Sequence, residues 1–120
     1  MERAMADILA PVSEARTQYK AGFTHFAEGR TDDAIACYRK ALELAPDLAM
    51  AWNGLAMALA KQGDLDAAIE AARKYVELDP DEPLAHTALS MLFQQAGRIP
   101  EAEDAKAASM QLQMKQGRKA

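Results

Sequence analysis

The sequence predicts an all-α fold assembled from stacked helical hairpins, and three observations carry that prediction. Gly29, Gly63 and Gly97 stand 34 and again 34 residues apart. Each opens the same phrase: Gly29-Arg-Thr-Asp-Asp-Ala34, Gly63-Asp-Leu-Asp-Ala-Ala68 and Gly97-Arg-Ile-Pro-Glu-Ala102. Downstream, Leu44-Ala-Pro46 returns 34 residues later as Leu78-Asp-Pro80. A fixed period of this length marks a stack of helix–turn–helix units. Finally, apolar residues recur at helical spacing nearly throughout, with no alternating strand pattern.

Each unit is expected to hold a helix A and a helix B. The first helix A covers about 15–28 and ends at Gly29. Thr31 is placed to cap the next helix, its hydroxyl accepting from a free backbone N–H. That helix B runs to about Leu44 and stops before Pro46, since proline lacks an N–H and clashes with the preceding turn. Asp47 is expected to cap the second helix A, about 49–61, which Gly63 ends. Asp64 caps the second helix B, which reaches Leu78 and stops at Pro80. Pro83 suits the first turn of the third helix A, which runs to about Gln95. Pro100 opens the last helix B, expected to reach about 115. The repeat domain is thus 15–116, in units of about 15–48, 49–82 and 83–116. Residues 117–120 form a basic tail. Residues 1–14 lie outside the repeat, where Met1, Met5, Ile8, Leu9 and Val12 predict a short amphipathic helix bent at Pro11. Its expected place is against the first helix pair, as an end cap. The alternative is the groove of the same or a neighbouring molecule.

Composition narrows the function. Half of the chain is apolar and alanine dominates, so helices can pack closely around a continuous core. A net charge of −4 argues against nucleic acid. The one cysteine, Cys37, excludes an internal disulfide and reads as a packed thiol. Met1 to Ala10 lacks the apolar run of a signal peptide, and no stretch is long and apolar enough to span a bilayer. The expected location is the cytoplasm.

The repeat resembles the tetratricopeptide repeat, whose pattern is W-x2-L-G-x2-Y, then A-x3-F, then P. The second unit supplies Trp52, Leu55, Ala56, Leu59, Ala68, Ala72 and Pro80. The first supplies Gln18, Ala21, Gly22, His25, Ala34, Tyr38 and Pro46. The third supplies His86, Leu89, Ser90, Phe93, Ala102 and Lys106, with Met114 in the proline slot. Gly22, Ala56 and Ser90, and again Ala34, Ala68 and Ala102, are small where helices approach. The resemblance implies a right-handed superhelix of three antiparallel helix pairs, with helices A lining the concave face.

By that register Arg16, Tyr19, Lys20, Phe23, Phe26, Met50, Asn53, Met57, Lys61, Leu84, Thr87 and Met91 face the groove, with Ala27, Gly54, Ala88 and Gln95 beside them. Each helix A already feeds the core with another stripe, such as Trp52, Leu55 and Leu59. Tyr19, Phe23, Met50, Met57, Leu84 and Met91 are surplus to it and are read as ligand-facing; core or self-contact is the competing reading. Methionine suits adaptable binding. Arg16, Lys20 and Lys61 form a basic fringe. Chaperone-binding members of the family grip a C-terminal carboxylate with lysine, arginine and asparagine. The matching places here hold Tyr19, Phe23, Gly54, Leu84 and Ala88, so that clamp is missing.

No catalytic constellation is present. His25 and His86 occupy packing slots, and HExxH, CxxC, GxSxG and phosphate-loop motifs are all missing from the sequence. Asp32-Asp33 and Asp81-Glu82 sit at helix starts, where they complement the helix dipole. No cofactor or metal is expected. The leading expectation is a non-catalytic adaptor that binds an apolar segment or helix of another protein in its concave groove. The alternative is a self-assembling subunit. In that case Met110, Leu112 and Met114 on the last helix, or residues 1–14, would form the contact.

Overall fold

Each unit turns on a glycine in the left-handed region, with φ of 82°, 91° and 76° at Gly29, Gly63 and Gly97. That conformation closes the same pair of bonds three times. Arg30 N–H donates to His25 O at 2.8 Å, Asp64 to Leu59 at 3.0 Å and Arg98 to Phe93 at 2.8 Å. The glycine N–H groups donate to Phe26, Ala60 and Gln94. This is the paired bonding that terminates a helix when a residue without Cβ follows it. The spacing of three glycines therefore sets the spacing of three identical helix stops.

The computed structural model describes the backbone of residues 2–119 and the side chains of residues 10–118. Six helices follow in order: α1 (Glu2–Ala27), α2 (Thr31–Leu44), α3 (Ala49–Lys61), α4 (Leu65–Leu78), α5 (Pro83–Gln95) and α6 (Ile99–Lys119). No strand occurs among the described residues. Each helix packs on the next. In addition α1 meets α3 and α3 meets α5, whereas α2, α4 and α6 do not meet one another. Helices A thus form a touching row on the inner side of the superhelix, and helices B fan out on the other.

Small side chains sit where the register places them. Ala34, Ala56 and Ala68 are completely buried and Ala102 nearly so. Ser90 fits the same role by donating its hydroxyl to Ala102 O at 2.8 Å. Larger residues, among them Ile35, Leu42, Leu55, Leu59, Ile69, Leu92 and Phe93, fill the space between helices. Tyr38 of α2 inserts its ring between α1 and α3. A Cβ on Gly22 would lie 2.9 Å from that ring, and one on Gly54 would lie 2.5 Å from it.

Trp52 and His86, one period apart, do the same structural work. The Trp52 indole N–H donates to Pro46 O at 2.8 Å, and His86 Nε2 lies 2.8 Å from Pro80 O. Each pins a helix A to the turn before it, which gives His86 a packing role.

The structure corrects several expectations. Helix α1 is continuous through Pro11, and residues 10–14 on it are exposed. There is no separate short helix folded back over 15–27. A proline inside a helix removes one bond and bends the axis without necessarily ending it. The expected contacts of Met1, Met5, Ile8 and Leu9 lie outside the described side chains. Thr31 is the first helical residue rather than the cap, and Arg30 takes the cap position with no side-chain bond. Asp47 precedes the cap position, which Leu48 occupies. Asp64 does cap α4, accepting from Ala67 N–H at 3.3 Å, and Glu82 caps α5, accepting from Leu84 N–H at 3.1 Å. Helix α6 reaches Lys119, beyond the expected 115, because no proline stands at Met114. Gln116 also ties its far end to Asp81 O at 3.1 Å.

Two outcomes check this account. Asp64→Ala lowers unfolding free energy by about 1 kcal/mol, whereas Asp47→Ala, which removes no cap bond, stays within about 0.5 kcal/mol. Gly54→Ala gains about 1 kcal/mol in helix propensity but overpacks a buried ring at a cost of about 1–3 kcal/mol, so it is net destabilising. In a Tyr38→Leu background the same change becomes stabilising. Urea denaturation of the four chains measures both signs.

Candidate functional site

The inner row of helices presents large apolar side chains to solvent. Phe23 is 61% exposed, Leu84 48%, Met91 47% and Met50 42%. They come from α1, α3 and α5, one helix after another. Tyr19, Phe26 and Met57 are half-buried and pack against the core. For these three the competing core reading is partly right. Asn53 and Thr87 are half-buried, and Arg16, Lys20 and Lys61 are exposed.

Two cavities adjoin at Met91. One, of about 270 Å³, is lined by Phe26, Met57, Ala60, Lys61, Met91 and Gln95, with Leu92 behind them. The Lys61 ammonium lies 5.3 Å from the centre of the Phe26 ring, a cation–π distance that holds the charge at the cavity's rim. The other, of about 320 Å³, lies between α5 and α6, where Thr87, Ser90, Met91, Gln94, Lys106 and Met110 border it. Met91 belongs to both. In the second, the buried Ser109 hydroxyl donates to Pro83 O at 3.1 Å. Thr87 Oγ1 is therefore the donor in its 2.7 Å bond to Ser109 Oγ.

The floor contains residues that sequence reasoning missed. Tyr38 reaches up from α2 against Gly54, so the Gly54 place is filled from below rather than open. Its ring lies 5.9 Å from that of Tyr19, tilted by 43°. Burial pushes the Tyr38 hydroxyl up to about 12, with Tyr19 and Cys37 adding to the shift. Tyr75 of α4 donates to Met50 Sδ at 3.8 Å; burial raises its hydroxyl as well, with Glu82 and Asp79 contributing. The available signal was a bulky aromatic on a helix B facing glycines on two helices A.

Of the three self-association candidates, Met110 and Met114 are exposed one turn apart on α6, and Leu112 lies on another side of that helix. Met110 borders the cavity between α5 and α6. Leu112 is half-buried beside Pro80 and His86. Met114 is 59% exposed near Gln111, Lys115 and Arg118.

A family model described as tetratricopeptide repeat matches residues 19–83, more than half of the chain. The chain is a tetratricopeptide repeat protein. The comparison with curated proteins returns no relative. Solved structures share the fold at low identity. A crystal structure of MamA superposes with a TM-score of 0.84 at 22% identity, over 89% of this chain and 63% of that one. The chain therefore spans less than two thirds of the MamA length. Another MamA structure, from MSR-1, is 26% identical over 96% of this chain and 64% of that one, with a TM-score of 0.79. The first tetratricopeptide repeat domain of Spaghetti (RPAP3), bound to the HSP90 peptide SRMEEVD, gives 0.81 at 20% identity, over 84% and 80%. Among the described residues of this tetratricopeptide repeat protein, no helix is long and apolar enough to cross a membrane.

Because Tyr38 ionises only near pH 12 in the folded chain but near 10 when unfolded, it favours the folded state below pH 10. That contribution declines as pH rises from about 10 to 12, where the unfolded chain binds fewer protons than the folded one. Urea midpoints between pH 9 and 11 should fall, and less steeply in Tyr38→Phe.

Proposed function

We propose that this protein is a non-catalytic interaction module whose concave face binds an apolar segment of a partner protein. The observation that carries this reading is the exposed row of Phe23, Met50, Leu84 and Met91 on one face. Large apolar side chains exposed together on one face favour an interaction site there. The cavity bounded by Phe26, Met57 and Met91 offers a seat for one large side chain of the ligand. A structurally similar domain holds a peptide, SRMEEVD, which supports peptide capture by this architecture. This chain selects differently, since Phe23, Leu84 and Ala88 replace the cations and amides that the chaperone-binding members use. We read the role as that of an adaptor in the cytoplasm.

Self-assembly is the second reading, favoured by the exposure of Met110 and Met114, 54% and 59%. Against it, α6 carries Glu103 and Lys106 where α2 carries Ile35 and Tyr38 at the seam with the next unit. We therefore expect a monomer, and sedimentation at a mass near 13.1 kDa checks it.

The binding reading is tested by substituting exposed positions. Phe23→Glu and Leu84→Glu leave helical circular dichroism unchanged, because neither residue is core. Each weakens partner capture by roughly two orders of magnitude, the cost of burying an unpaired carboxylate against apolar surface being about 2–3 kcal/mol. Partner binding that survives both changes places the interaction on another face.

A further inference from the structure

The seam between units is built the same way twice. Helix α3 lies against both helices of the first pair, α1 and α2, and α5 lies against both helices of the second, α3 and α4. Tyr38 of α2 touches Gly54 of α3, and Thr31, Ile35 and Leu42 share its side of the helix, at i−7, i−3 and i+4. Ile35, Tyr38 and Leu42 are buried there. One period on, Leu65, Ile69, Ala72 and Val76 of α4 are buried or half-buried. The third copy of this stripe is Ile99, Glu103, Lys106 and Met110 of α6. All four are exposed, Ile99 by 50% and Met110 by 54%. A third seat for a helix therefore stands open against α5 and α6, where a cavity of about 320 Å³ extends from Met91 to Gln113.

The floor of that seat is polar but satisfied. Ser90 donates to Ala102 O at 2.8 Å, Thr87 to Ser109 Oγ at 2.7 Å and Ser109 to Pro83 O at 3.1 Å. A helix laid over these hydroxyls strands none of them. The charges on the stripe differ in this respect. Glu103 and Lys106 stand one turn apart, and neither belongs to an ion pair among the described residues. Apolar cover would take both out of water without partners, which is costly. An occupant must therefore bring the opposite charges in the opposite order. The helices in the two filled seats run antiparallel to α2 and α4, to which short turns join them. One in the third seat runs against α6 in the same way and meets Met110 first and Ile99 last.

We infer that the α5–α6 end of the stack is a second protein-binding site, which takes an amphipathic helix of a partner protein. That helix carries an apolar residue at i, a carboxylate at i+4, a cation at i+7 and an apolar residue at i+11. The apolar pair covers Met110 and Ile99, the carboxylate meets Lys106 and the cation meets Glu103. Burial of the apolar pair supplies the affinity, and the two charge pairs fix direction and register. The same register rejects this protein's own first helix as the occupant. Gly54 and Ala88 hold the place opposite Tyr38 and Ala72 in the filled seats, and the residue of α1 at that place is Lys20. Head-to-tail stacking of two copies would bring Lys20 against Lys106, a like-charge contact that disfavours it. The seat lies on the last helix pair, away from Phe23 of α1, and does not require the concave groove.

The test uses a display library built on an alanine-rich helix, with its i, i+4, i+7 and i+11 positions randomised, selected on the immobilised full chain. The expected winners carry leucine, isoleucine or methionine at the outer two positions, aspartate or glutamate at i+4 and lysine or arginine at i+7. A synthetic winner binds about tenfold more tightly than the same peptide with its two charged residues exchanged, and the margin narrows at high salt. The double substitution Glu103→Lys with Lys106→Glu reverses that preference. Both residues are exposed, so helical circular dichroism stays unchanged. Phe23→Glu leaves the affinity within about twofold, since it is remote from the seat. A library that yields no binder, winners without the acid-then-base order, or a preference that the double substitution does not reverse all overturn the inference. Loss of the peptide in Phe23→Glu also overturns it, by moving the peptide to the concave groove, whose own reading then stands. A doubled sedimentation mass that Lys106→Glu halves overturns it as well, by giving the seat to a second copy.

Discussion

The ring of Tyr38 between α1 and α3 fixes the geometry on which the inner face depends. It is almost fully buried and presses on Gly22 and Gly54 at once, so one side chain from α2 sets the separation of two helices A. The next seam solves the same problem on another rung. One period on, Ala72 stands where Tyr38 was and Tyr75 stands where Ala41 was. Each seam therefore contains one tyrosine and one alanine on adjacent rungs, in opposite order. Swapping large and small in this way conserves volume. It also explains why Gly54 in one unit becomes Ala88 in the next: the helix opposite an alanine no longer needs to be bare.

The third unit departs from the other two in the same register. At the places of Ile35 and Tyr38 it holds the exposed Glu103 and Lys106, and at that of Ala41 the buried Ser109, so this side of α6 is more polar than that of α2. Terminal units of solenoids need such a face. Helix α6 runs past Met114 to Lys119 as an extension of the third hairpin. Ser109 and Gln116 bond to the carbonyls of Pro83 and Asp81, which holds that extension on the preceding turn. On the opposite side Arg98 and Arg73 both lie over the Phe93 ring, at 4.9 and 5.4 Å. Arg98 also bonds Glu101 and holds its carboxyl below the usual range. The last unit is fastened on both sides.

Repeat period, helix number and turn positions were legible in the sequence because glycine at positive φ and proline after a helix are local requirements that repeat without compensation. The small positions were legible for the same reason. The caps were not. Thr31 and Asp47 have capping chemistry but stand one residue out of register, and only comparison with Asp64 and Glu82 reveals the offset. The groove was partly legible. Phe23, Met50, Leu84 and Met91 are open as expected, but Tyr19, Phe26 and Met57 serve core and groove together, which periodicity cannot divide. Tyr38 escaped because it belongs to a helix B and meets Gly22 and Gly54 only through the packing of three helices. The role of Met110 was hidden likewise, since its neighbour Met91 is distant in sequence.

The contact pattern has a mechanical consequence. Helices A touch along the inner row, and helices B do not touch along the outer one. Curvature is therefore set on the inner side, where the Tyr38 ring spaces α1 from α3. A change of side-chain volume at that seam reshapes the concave face, whereas the same change on the solvent side of a helix B meets no neighbouring helix B.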